Sequence, residues 1–394
     1  MHRSLALRLA NLGFFVPFCF VVLSAIGAAE DSRRFIDPDA LQTSRAVIVG
    51  NVPLAHTGQV LPLDEQGQLV GTGNAAEQAK VLLTRLEEVL REAGSSLEQT
   101  VKLNLYAASD DAAKAMLRAI MKRFTGNVKP AYSLVVTRMT NDKVLVSLDA
   151  VAVAAAAKTK PTANVAILPP GRKIYVAGQA EKGDDLNSAT QKTMDSLRRT
   201  LKFLGRTDAD ILQLKAFVKP VTAEAERQVR EALAASLGDT PLPPLVLVEW
   251  ESSLPIEIEL VAYGGKLEPD MPSIEYLTPP GMATSAVFSR VARTNHEQTI
   301  YISGLFGNGD GLEQTTDIFT QLGAVLQKSG SDFRHLAKAT YYVSDDASSK
   351  QLNELRPMYY DPKRPPAASK ALVKGVGWPG KTITVDMIAV PVKK

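Results

Sequence analysis

The amino-acid sequence predicts an α+β protein made of three tandem repeats, each with a mixed β-sheet backed by two helices. Three observations predict this fold class. One helical pattern occurs three times, each copy ends at a glycine, and strands flank each copy in the same order. A repeat of fixed length indicates a fold made of similar units, so each motif is interpreted as part of one of those units. A sheet with two amphipathic helices is expected to carry both on one face.

The three helical stretches superimpose. Their sequences are EQAKVLLTRLEEVLREAGSS, SATQKTMDSLRRTLKFLGRT and EQTTDIFTQLGAVLQKSGSD. Apolar residues recur at i, i+4, i+7 and i+8, which places one apolar stripe against a core. The aligned leucines are Leu86, Leu197 and Leu322, followed by Leu90, Leu201 and Leu326. Gly94, Gly205 and Gly330 come directly after the stripes and are expected to end the helices.

Strands surround each helix in a fixed order. A strand that ends in a glycine turn precedes the helix, with Gly58, Gly178 or Gly304 in the turn. A strand, a second helix, a proline-led strand and a closing strand follow. The proline-led strands begin in VKPAYSLVV, PLPPLVLVEW and KRPPAASKALV. Because proline lacks a backbone N–H, these are expected to be edge strands.

The repeats divide the chain into a leader and three domains. We expect a signal peptide at 1–29 and repeats at 40–157, 164–264 and 274–393. Two segments rich in Pro, Gly and Lys, 157–165 and 264–280, are interpreted as linkers.

The closing strand of the third repeat indicates how the repeats pack. Ile383, Val385 and Met387 alternate with Thr384, Asp386 and Ile388. Both faces of the sheet are therefore at least partly apolar. Three such faces are expected to pack on one another about a pseudo-threefold axis, which predicts a monomer.

The N-terminal segment has the three parts of a secretory signal peptide: Arg3 and Arg8, an apolar stretch over 9–26, and small residues ending at Ala29. An uncleaved membrane anchor is the alternative, since the stretch is nearly long enough to span a bilayer. Cleavage predicts an exported protein, periplasmic or extracellular, with no membrane span left. It also removes the single cysteine, Cys19, and with it any disulfide or thiolate chemistry.

Charge and ligand spacing exclude several classes of function. The chain has 45 basic and 42 acidic residues, and loss of the leader brings it close to neutrality, so a nucleic-acid partner is not expected. His56, His296 and His335 share no metal-ligand spacing. The loop GNGDG at 307–311 lacks the phosphate-loop and EF-hand patterns. The sequence predicts no metal and no cofactor, and the partner it predicts is a small-molecule ligand.

Five phrases resemble the Rid family, also called RidA, YjgF or L-PSP. They are TGQVLPLDEQGQLV, EAGSSLEQTVKLNLY, PAYSLVV, IEIELVAYG and PAASKALVKGVGWPG, and together the resemblance covers nearly all of the mature chain. The family consists of homotrimers of chorismate-mutase-like fold. The resemblance therefore implies a single-chain pseudo-trimer with clefts between repeats 1 and 2, 2 and 3, and 3 and 1. It also implies hydrolysis of reactive 2-imino acids to 2-oxo acids with release of ammonia.

The family hallmark is the phrase PAR, whose arginine grips the substrate carboxylate as a planar bidentate donor. Tyr132, Leu245 and Ala368 occupy the three corresponding positions here. Deaminase activity on 2-imino acids is therefore expected to be weak or absent unless another cation enters a cleft. The candidate cations are Arg138, Arg290 and Lys370.

The resemblance also implies three acids, Asp149, Glu259 and Asp386, at the position that orients water in the family. Burial without the arginine is expected to raise their pKa. The alternative is a structural acid bonded to the backbone or to an aligned lysine, namely Lys102, Lys215 or Lys338. Phe288 and Asn353, present only in the third repeat, match pocket positions or else serve in packing. The three glycine turns border the same clefts.

Three functions remain open. The first is an exported RidA-like protein that binds or slowly transforms a small metabolite in its clefts. The second is an imine or enamine deaminase-type hydrolase whose substrate lacks the carboxylate and whose acids activate water. The third is a non-enzymatic, chaperone-like platform of the cell envelope. A closed polar pocket with an acid of perturbed pKa favours the first two, whereas filled clefts and a large exposed apolar patch favour the third.

Overall fold

The computed structural model describes residues 32–38, 43–155 and 162–393. The predicted signal peptide, with Cys19, lies outside these residues, as does most of the first predicted linker. No helix within the described ranges is both long and apolar enough to cross a bilayer.

The helices are α1 (Ala75–Glu92), α2 (Asp110–Arg123), α3 (Leu186–Phe203), α4 (Ala223–Leu237), α5 (Gly311–Lys328) and α6 (Asp346–Tyr359). The strands are β1 (Arg33–Pro38), β2 (Ser44–Gly50), β3 (Leu54–Thr57), β4 (Thr100–Ala107), β5 (Ala131–Val136), β6 (Val146–Val153), β7 (Val165–Leu168), β8 (Lys173–Gln179), β9 (Ile211–Val218), β10 (Leu245–Glu249), β11 (Ile256–Tyr263), β12 (Ile274–Leu277), β13 (Val291–Thr294), β14 (Gln298–Leu305), β15 (Leu336–Val343), β16 (Ala367–Leu372) and β17 (Ile383–Ala389).

The three long helices follow the predicted pattern. In α1 the side chain of Asn74 caps the first turn by accepting a hydrogen bond from the Glu77 amide. Leu82, Leu86 and Leu90 are fully buried. Gly94 then adopts a φ of 63°, the left-handed conformation that ends a helix without the Cβ penalty of other residues. The glycines after α3 and α5 do the same, which confirms the predicted helix ends.

Three mixed sheets form the scaffold, each with two helices. Sheet 1 has the order β5-β4-β6-β3-β7, sheet 2 the order β10-β9-β11-β8-β13-β12, and sheet 3 the order β1-β2-β14-β17-β15-β16. Each contains one parallel pair, β4 with β5, β9 with β10 or β15 with β16. The proline-led strands β5, β10 and β16 are edge strands, as predicted.

Each sheet is completed by strands that follow or precede it in the chain. In sheet 1 the partner of β3 is β7, which belongs to the second predicted repeat. In sheet 2 the partner of β8 is β13, from the third predicted repeat. In sheet 3 the partner of β14 is β2, from the N-terminal part of the chain. The three units therefore form a closed ring, and the first strands of the chain are the strands that close it.

The second predicted linker contains a strand. Within 264–280 the four residues of β12 pair antiparallel with β13, and Ile274 is buried. The linker interpretation is wrong for this part, because the Pro- and Gly-rich flanks conceal a strand too short to show alternation.

Five apolar cores hold the fold together, and one of them joins Tyr106 of sheet 1, Phe217 of sheet 2 and Tyr342 of sheet 3. Three lie between one sheet and its own helices. The fifth lies where the opposite faces of the sheets meet, and it includes Val47 of sheet 3, Val151 of sheet 1 and Tyr175 of sheet 2. This shared core confirms the predicted packing about a pseudo-threefold axis. It also places the closing strands β6, β11 and β17 around the centre of the molecule.

Candidate functional sites: a central charged chamber and three clefts

The three acids predicted from the closing strands meet the three aligned lysines at the centre of the protein. Lys102 Nζ of sheet 1 lies 2.9 Å from Asp386 Oδ1 of sheet 3. Lys338 Nζ of sheet 3 lies 2.8 Å from Glu259 Oε2 of sheet 2. Glu259 Oε2 accepts no hydrogen bond that has a favourable angle. The contact between Lys338 and Glu259 is therefore an ion pair defined by distance alone. Each pair joins two different sheets.

The third lysine and acid are arranged differently. Asp149 accepts hydrogen bonds from Asn104 Nδ2 at 2.8 Å and from Tyr106 OH at 2.7 Å. Among the described residues Lys215 has no acid within ion-pair distance, and its ammonium lies 5.9 Å from the centre of the Tyr106 ring. A lysine and an acid therefore form an ion pair across two of the three junctions between sheets.

The lysines decide the ionisation of Asp386. Burial by itself would raise the pKa of this carboxyl, but the ammonium groups of Lys102, Lys215 and Lys338 outweigh burial and lower the pKa to about 2. The expected rise in pKa is therefore wrong for Asp386. Burial lowers the pKa of Lys102, and the charge of Asp386 opposes that shift.

The space between these groups is small. The chamber has a volume of about 40 Å³ and is also lined by His56, Tyr175 and Tyr301. A cavity needs about 10–15 Å³ per water, so this one admits a few waters and no metabolite. Both ring nitrogens of His56 lack a hydrogen-bond partner among the described residues, and burial lowers its pKa to about 4, with Lys173 contributing. This geometry favours the structural alternative for the three acids.

The predicted cleft residues lie together in three places, one at each junction between sheets. In cleft I the Gln59 amide, next to Gly58, donates to the Leu245 carbonyl at 3.0 Å. In cleft II the Gly178 amide donates to Ser369 Oγ at 2.9 Å, beside Ala368.

Cleft III repeats this arrangement. The Tyr132 amide donates to Ser303 Oγ at 2.9 Å, beside Gly304. In all three clefts a glycine near the end of a strand thus faces the proline-led strand of the next sheet. Gly58 directly follows β3, whereas Gly178 and Gly304 lie inside β8 and β14, so the predicted turn is wrong for these two. The three residues that replace the family arginine contact the cores between sheet and helices.

Phe288 and Asn353 both lie near cleft II. Phe288 is followed by Ser289, which bridges to β16, and the Arg290 guanidinium lies 4.9 Å from the Phe288 ring centre. Asn353 Oδ1 accepts from Lys370 Nζ at 3.3 Å. Burial lowers the pKa of Lys370, and the positive charge of Arg356 adds to that shift.

Cleft II also contains an acid that the sequence reasoning missed. Glu257 lies two residues before Glu259 on β11, and its carboxyl packs against Gly178 so closely that a Cβ there would collide with it. Burial raises the pKa of Glu257 to about 7, Glu259 contributes, and Ser369 opposes the shift. The signal was present in the phrase IEIEL, where two acids alternate with apolar residues.

The other two clefts carry hydroxyls at the position of Glu257. Ser147 occupies it in sheet 1, where its Oγ accepts from Gln59 Nε2 at 2.9 Å. Thr384 occupies it in sheet 3 and donates to the Leu305 carbonyl at 3.1 Å. Of the three clefts, only cleft II therefore has an ionisable group at this position.

Cleft III contains an open cavity of about 230 Å³. Besides the predicted Tyr132 and Gly304, its lining includes two cations, Arg45 and Lys381, and two aromatic residues, Phe306 and Trp378. None of the described residues that line it is acidic. Arg45 comes from β2, so strand exchange brings it to the cleft, and nothing in its sequence neighbourhood indicated this position.

A sequence model of the endoribonuclease L-PSP family matches residues 38–154 and 280–391, more than half of the chain. The chain belongs to the endoribonuclease L-PSP family, also called the Rid or YjgF family. Two curated members are similar to single stretches of it. A RutC family protein of Pyrococcus abyssi is 36% identical over 112 residues, which are 28% of this chain and 84% of that protein. A RutC family protein of Synechocystis is 36% identical over 107 residues, 27% of this chain and 82% of that protein.

Solved structures also correspond to about a third of this chain. The conserved Rid family protein YyfB of Yersinia pestis, described as of unknown function, covers 31% of this chain with 98% of its own length, at 26% identity and a TM-score of 0.29. A yeast protein covers 28% of this chain with 86% of its length, at 26% identity and a TM-score of 0.24. The three mixed sheets, each with two helices, are the three units of this L-PSP family chain.

Proposed function

We propose that this L-PSP family protein binds a small anionic metabolite in cleft III. The observation that carries the proposal is the 230 Å³ cavity lined by Arg45 and Lys381 and, among its described lining residues, by no acid. The cavity lies where the family resemblance places a ligand, between Gly304 of β14 and the proline-led strand β5. The two cations supply the positive charge that the family arginine would otherwise provide.

One acid that interacts with Lys381, Asp317, is already hydrogen-bonded. Asp317 accepts from the Asn308 amide at 2.6 Å, from Asn308 Nδ2 at 2.9 Å and from Gln321 Nε2 at 2.9 Å. The Asn308 amide is the main reason that the pKa of Asp317 is lowered, with Lys381 a minor contributor. Asp317 therefore offsets one positive charge at most. Gln321 also accepts from Arg45 at 3.2 Å, which holds the guanidinium at the rim of the cavity.

Binding in cleft III does not require hydrolysis. Thr384 stands where cleft II has Glu257, so cleft III has no proton acceptor at that position. A charge-assisted hydrogen bond contributes about 1.5–3 kcal/mol, which is roughly tenfold to a hundredfold in affinity. We therefore propose that Arg45 and Lys381 account for most of the preference for an anion.

Isothermal titration with propionate and with the uncharged propionamide tests this proposal. Propionate is expected to bind and propionamide is not, and added salt is expected to weaken binding because the pocket is open to solvent. Arg45→Gln and Lys381→Gln are each expected to lower the affinity at least tenfold. Arg91→Gln and Lys350→Gln, at exposed helix cations, are the matched controls. Equal binding of acid and amide would overturn the proposal.

A second candidate function is a deaminase-type hydrolase in cleft II that acts on an imine or enamine without a carboxylate. Glu257 favours it, because a carboxyl with a pKa of about 7 can both accept and donate a proton near neutrality. The acid in this role is Glu257, since Asp149, Glu259 and Asp386 line or adjoin the small central chamber. Ammonia release from an uncharged imine by the native protein, lost in Glu257→Gln, would support this function. Equal release by both proteins would exclude Glu257.

Filled clefts would favour a non-enzymatic platform of the cell envelope. Because cleft III contains a cavity of about 230 Å³, ligand binding is favoured instead. We further propose that the protein is exported and acts in the periplasm or outside the cell, on the basis of its N-terminal sequence. Fractionation of cells that express the full chain, with mass determination of the N-terminus, tests both export and cleavage after Ala29.

A further inference from the structure

We infer that the anion bound in cleft III is a flat aromatic carboxylate whose ring packs against Trp378. This inference rests on the proposed function and adds the class of ligand to it. The observation behind it is that aromatic side chains and cations line the same cavity. The aromatic side chains are Tyr132, Phe306 and Trp378.

Trp378 is positioned as one wall of the cavity. Its ring is stacked on that of Phe306, with centroids 5.9 Å apart and an angle of 30° between the planes. Trp378 is nevertheless 40% exposed, whereas Trp250 is 6% exposed. A tryptophan that large and that exposed, stacked on one neighbour at a cavity wall, leaves apolar surface that a flat ligand would cover.

The loop that carries Trp378 is anchored on both sides of the cleft. It leaves β16 of sheet 3 and pairs with β5 of sheet 1, since Val136 N donates to the Gly375 carbonyl at 2.8 Å and Gly375 N to the Val136 carbonyl at 3.2 Å. Gly377 adopts a φ of 74° against Leu134. The indole is therefore held over the cavity before a ligand arrives, and less conformational entropy is lost on binding.

The size of the cavity suits one ring with an acidic group. A protein cavity of about 150 Å³ admits benzene. The 230 Å³ of cleft III leaves room for a carboxylate beside the ring, within reach of Arg45 or Lys381. Ser303 is already engaged, because its Oγ accepts from the Tyr132 amide and donates to the Ser44 carbonyl. The cations and the aromatic wall are thus left to recognise the ligand.

Clefts I and II lack this wall. Two residues after the cleft glycine, cleft III has Phe306, whereas the corresponding residues are Val60 in cleft I and Ala180 in cleft II. The aromatic residue near cleft II, Phe288, lies against the Arg290 guanidinium instead. The pair of Phe306 and Trp378 therefore distinguishes cleft III from the other two.

Three probes of similar size separate the two parts of the inference. They are phenylacetate, cyclohexylacetate with the same charge and a non-planar ring, and phenylacetamide with the same ring and no charge. We expect phenylacetate to bind up to about tenfold more tightly than cyclohexylacetate, from the added stacking. We expect phenylacetamide to bind at least tenfold more weakly than phenylacetate. Calorimetry gives the affinities, and quenching of tryptophan fluorescence reports contact with Trp378.

Substitutions assign the effects to residues. Trp378→Leu is expected to remove the preference for phenylacetate and the quenching while cyclohexylacetate still binds. Phe306→Leu removes the ring on which Trp378 stacks and keeps the fluorophore. It is a second variant, expected to reduce the preference for phenylacetate while quenching persists, in case the first perturbs the loop. Trp250→Phe is the control, and quenching is expected to persist in it.

The possible outcomes are distinct. Equal affinity for phenylacetate and cyclohexylacetate, or binding without any change in Trp378 fluorescence, overturns the aromatic inference and leaves anion binding intact. Failure of all carboxylates to bind overturns the proposed function itself.

Discussion

Lys102 Nζ lies 2.9 Å from the carboxylate of Asp386, and the two residues belong to different sheets. Lys102 also donates to the Ile302 carbonyl at 2.6 Å and to Ser133 Oγ at 2.8 Å, so the ammonium has three partners in a buried site. Only the packing of sheet 1 against sheet 3 creates this contact, since 284 residues of chain separate the pair. Its integrity therefore reports on the junction between these two sheets.

Removal of one partner of this pair is expected to destabilise the protein strongly. Lys102→Met leaves a buried, unpaired carboxylate, and the free energy of unfolding should fall by about 3–5 kcal/mol. The double variant Lys102→Met with Asp386→Leu should lose less than the sum of the single variants. Urea denaturation measures both. Lys114→Met, at an exposed pair with Asp111, is the control and should change stability by about 1 kcal/mol or less. Equal effects at the two sites would contradict the structural role.

Protonation of Asp386 at acid pH should lower the free energy of unfolding over a defined pH range. Its folded pKa is about 2, below the ordinary value of 3.8, so the folded state holds this proton less tightly than the unfolded state does. The stability that it contributes is complete above about pH 4 and is lost as the pH falls towards 2. The loss should amount to roughly 2 kcal/mol. Asp386→Asn should be less stable at neutral pH and should lack this component, and an identical acid profile in the variant would contradict it.

Glu257 should make the folding stability depend on pH in the opposite direction, with a loss as the pH rises. Its folded pKa of about 7 lies above the ordinary 4.5, so the unfolded state loses the proton more readily. Stability contributed by the protonated form is complete below about pH 4.5 and falls as the pH rises to 7. Glu257→Gln should remove this fall and gain about 1–2 kcal/mol at pH 8, an amount reduced because the residue is only partly buried. Thermal melting from pH 4 to 8 tests this, with the exposed Glu65→Gln as control, and parallel curves for Glu257→Gln and wild type would count against it.

The strand exchange makes the third sheet depend on the beginning of the chain. Ile48 of β2 is buried in the core between sheet 3 and its helices. Ile48→Ala should cost about 2–5 kcal/mol. Hydrogen exchange should show the loss of protection first in β14, its paired strand, and later in β4 of sheet 1. Uniform loss across all sheets, or loss first in sheet 1, would contradict the pairing.

The missing arginine leads to a prediction about activity. Ala368 lies at the partly exposed edge of cleft II, next to Ser369 and across from Glu257. With 2-iminopropanoate generated in situ, the native protein should release ammonia slowly, and Ala368→Arg should release it at least tenfold faster, because the guanidinium pairs with the substrate carboxylate. Ala368→Met is a control for side-chain volume. Rates typical of the family in the native protein would show that the arginine is dispensable here.

Much of the fold was predictable because the same pattern of helices and strands occurs three times in the sequence. The stripe through Leu86, Leu197 and Leu322 and the glycines after each helix are local patterns, and the structure confirms them. The prolines before β5, β10 and β16 correctly indicated edge strands. The outcomes at β12 and at Asp386 differ for physical reasons. β12 is too short to show alternation, and the pKa of Asp386 is set by three lysines, two of which come from other sheets.

The candidate sites were predictable only in part. The α+β class, the threefold repeat, the acids and lysines of the closing and central strands, and the absence of the family arginine at Tyr132, Leu245 and Ala368 all follow from the amino-acid sequence. Which charges pair, that β2 completes the third sheet, and that Arg45 and Trp378 line one cavity follow from the three-dimensional packing. Sequence periodicity reports which face of an element is apolar, whereas these contacts join residues far apart in the chain and depend on how the three sheets close into a ring.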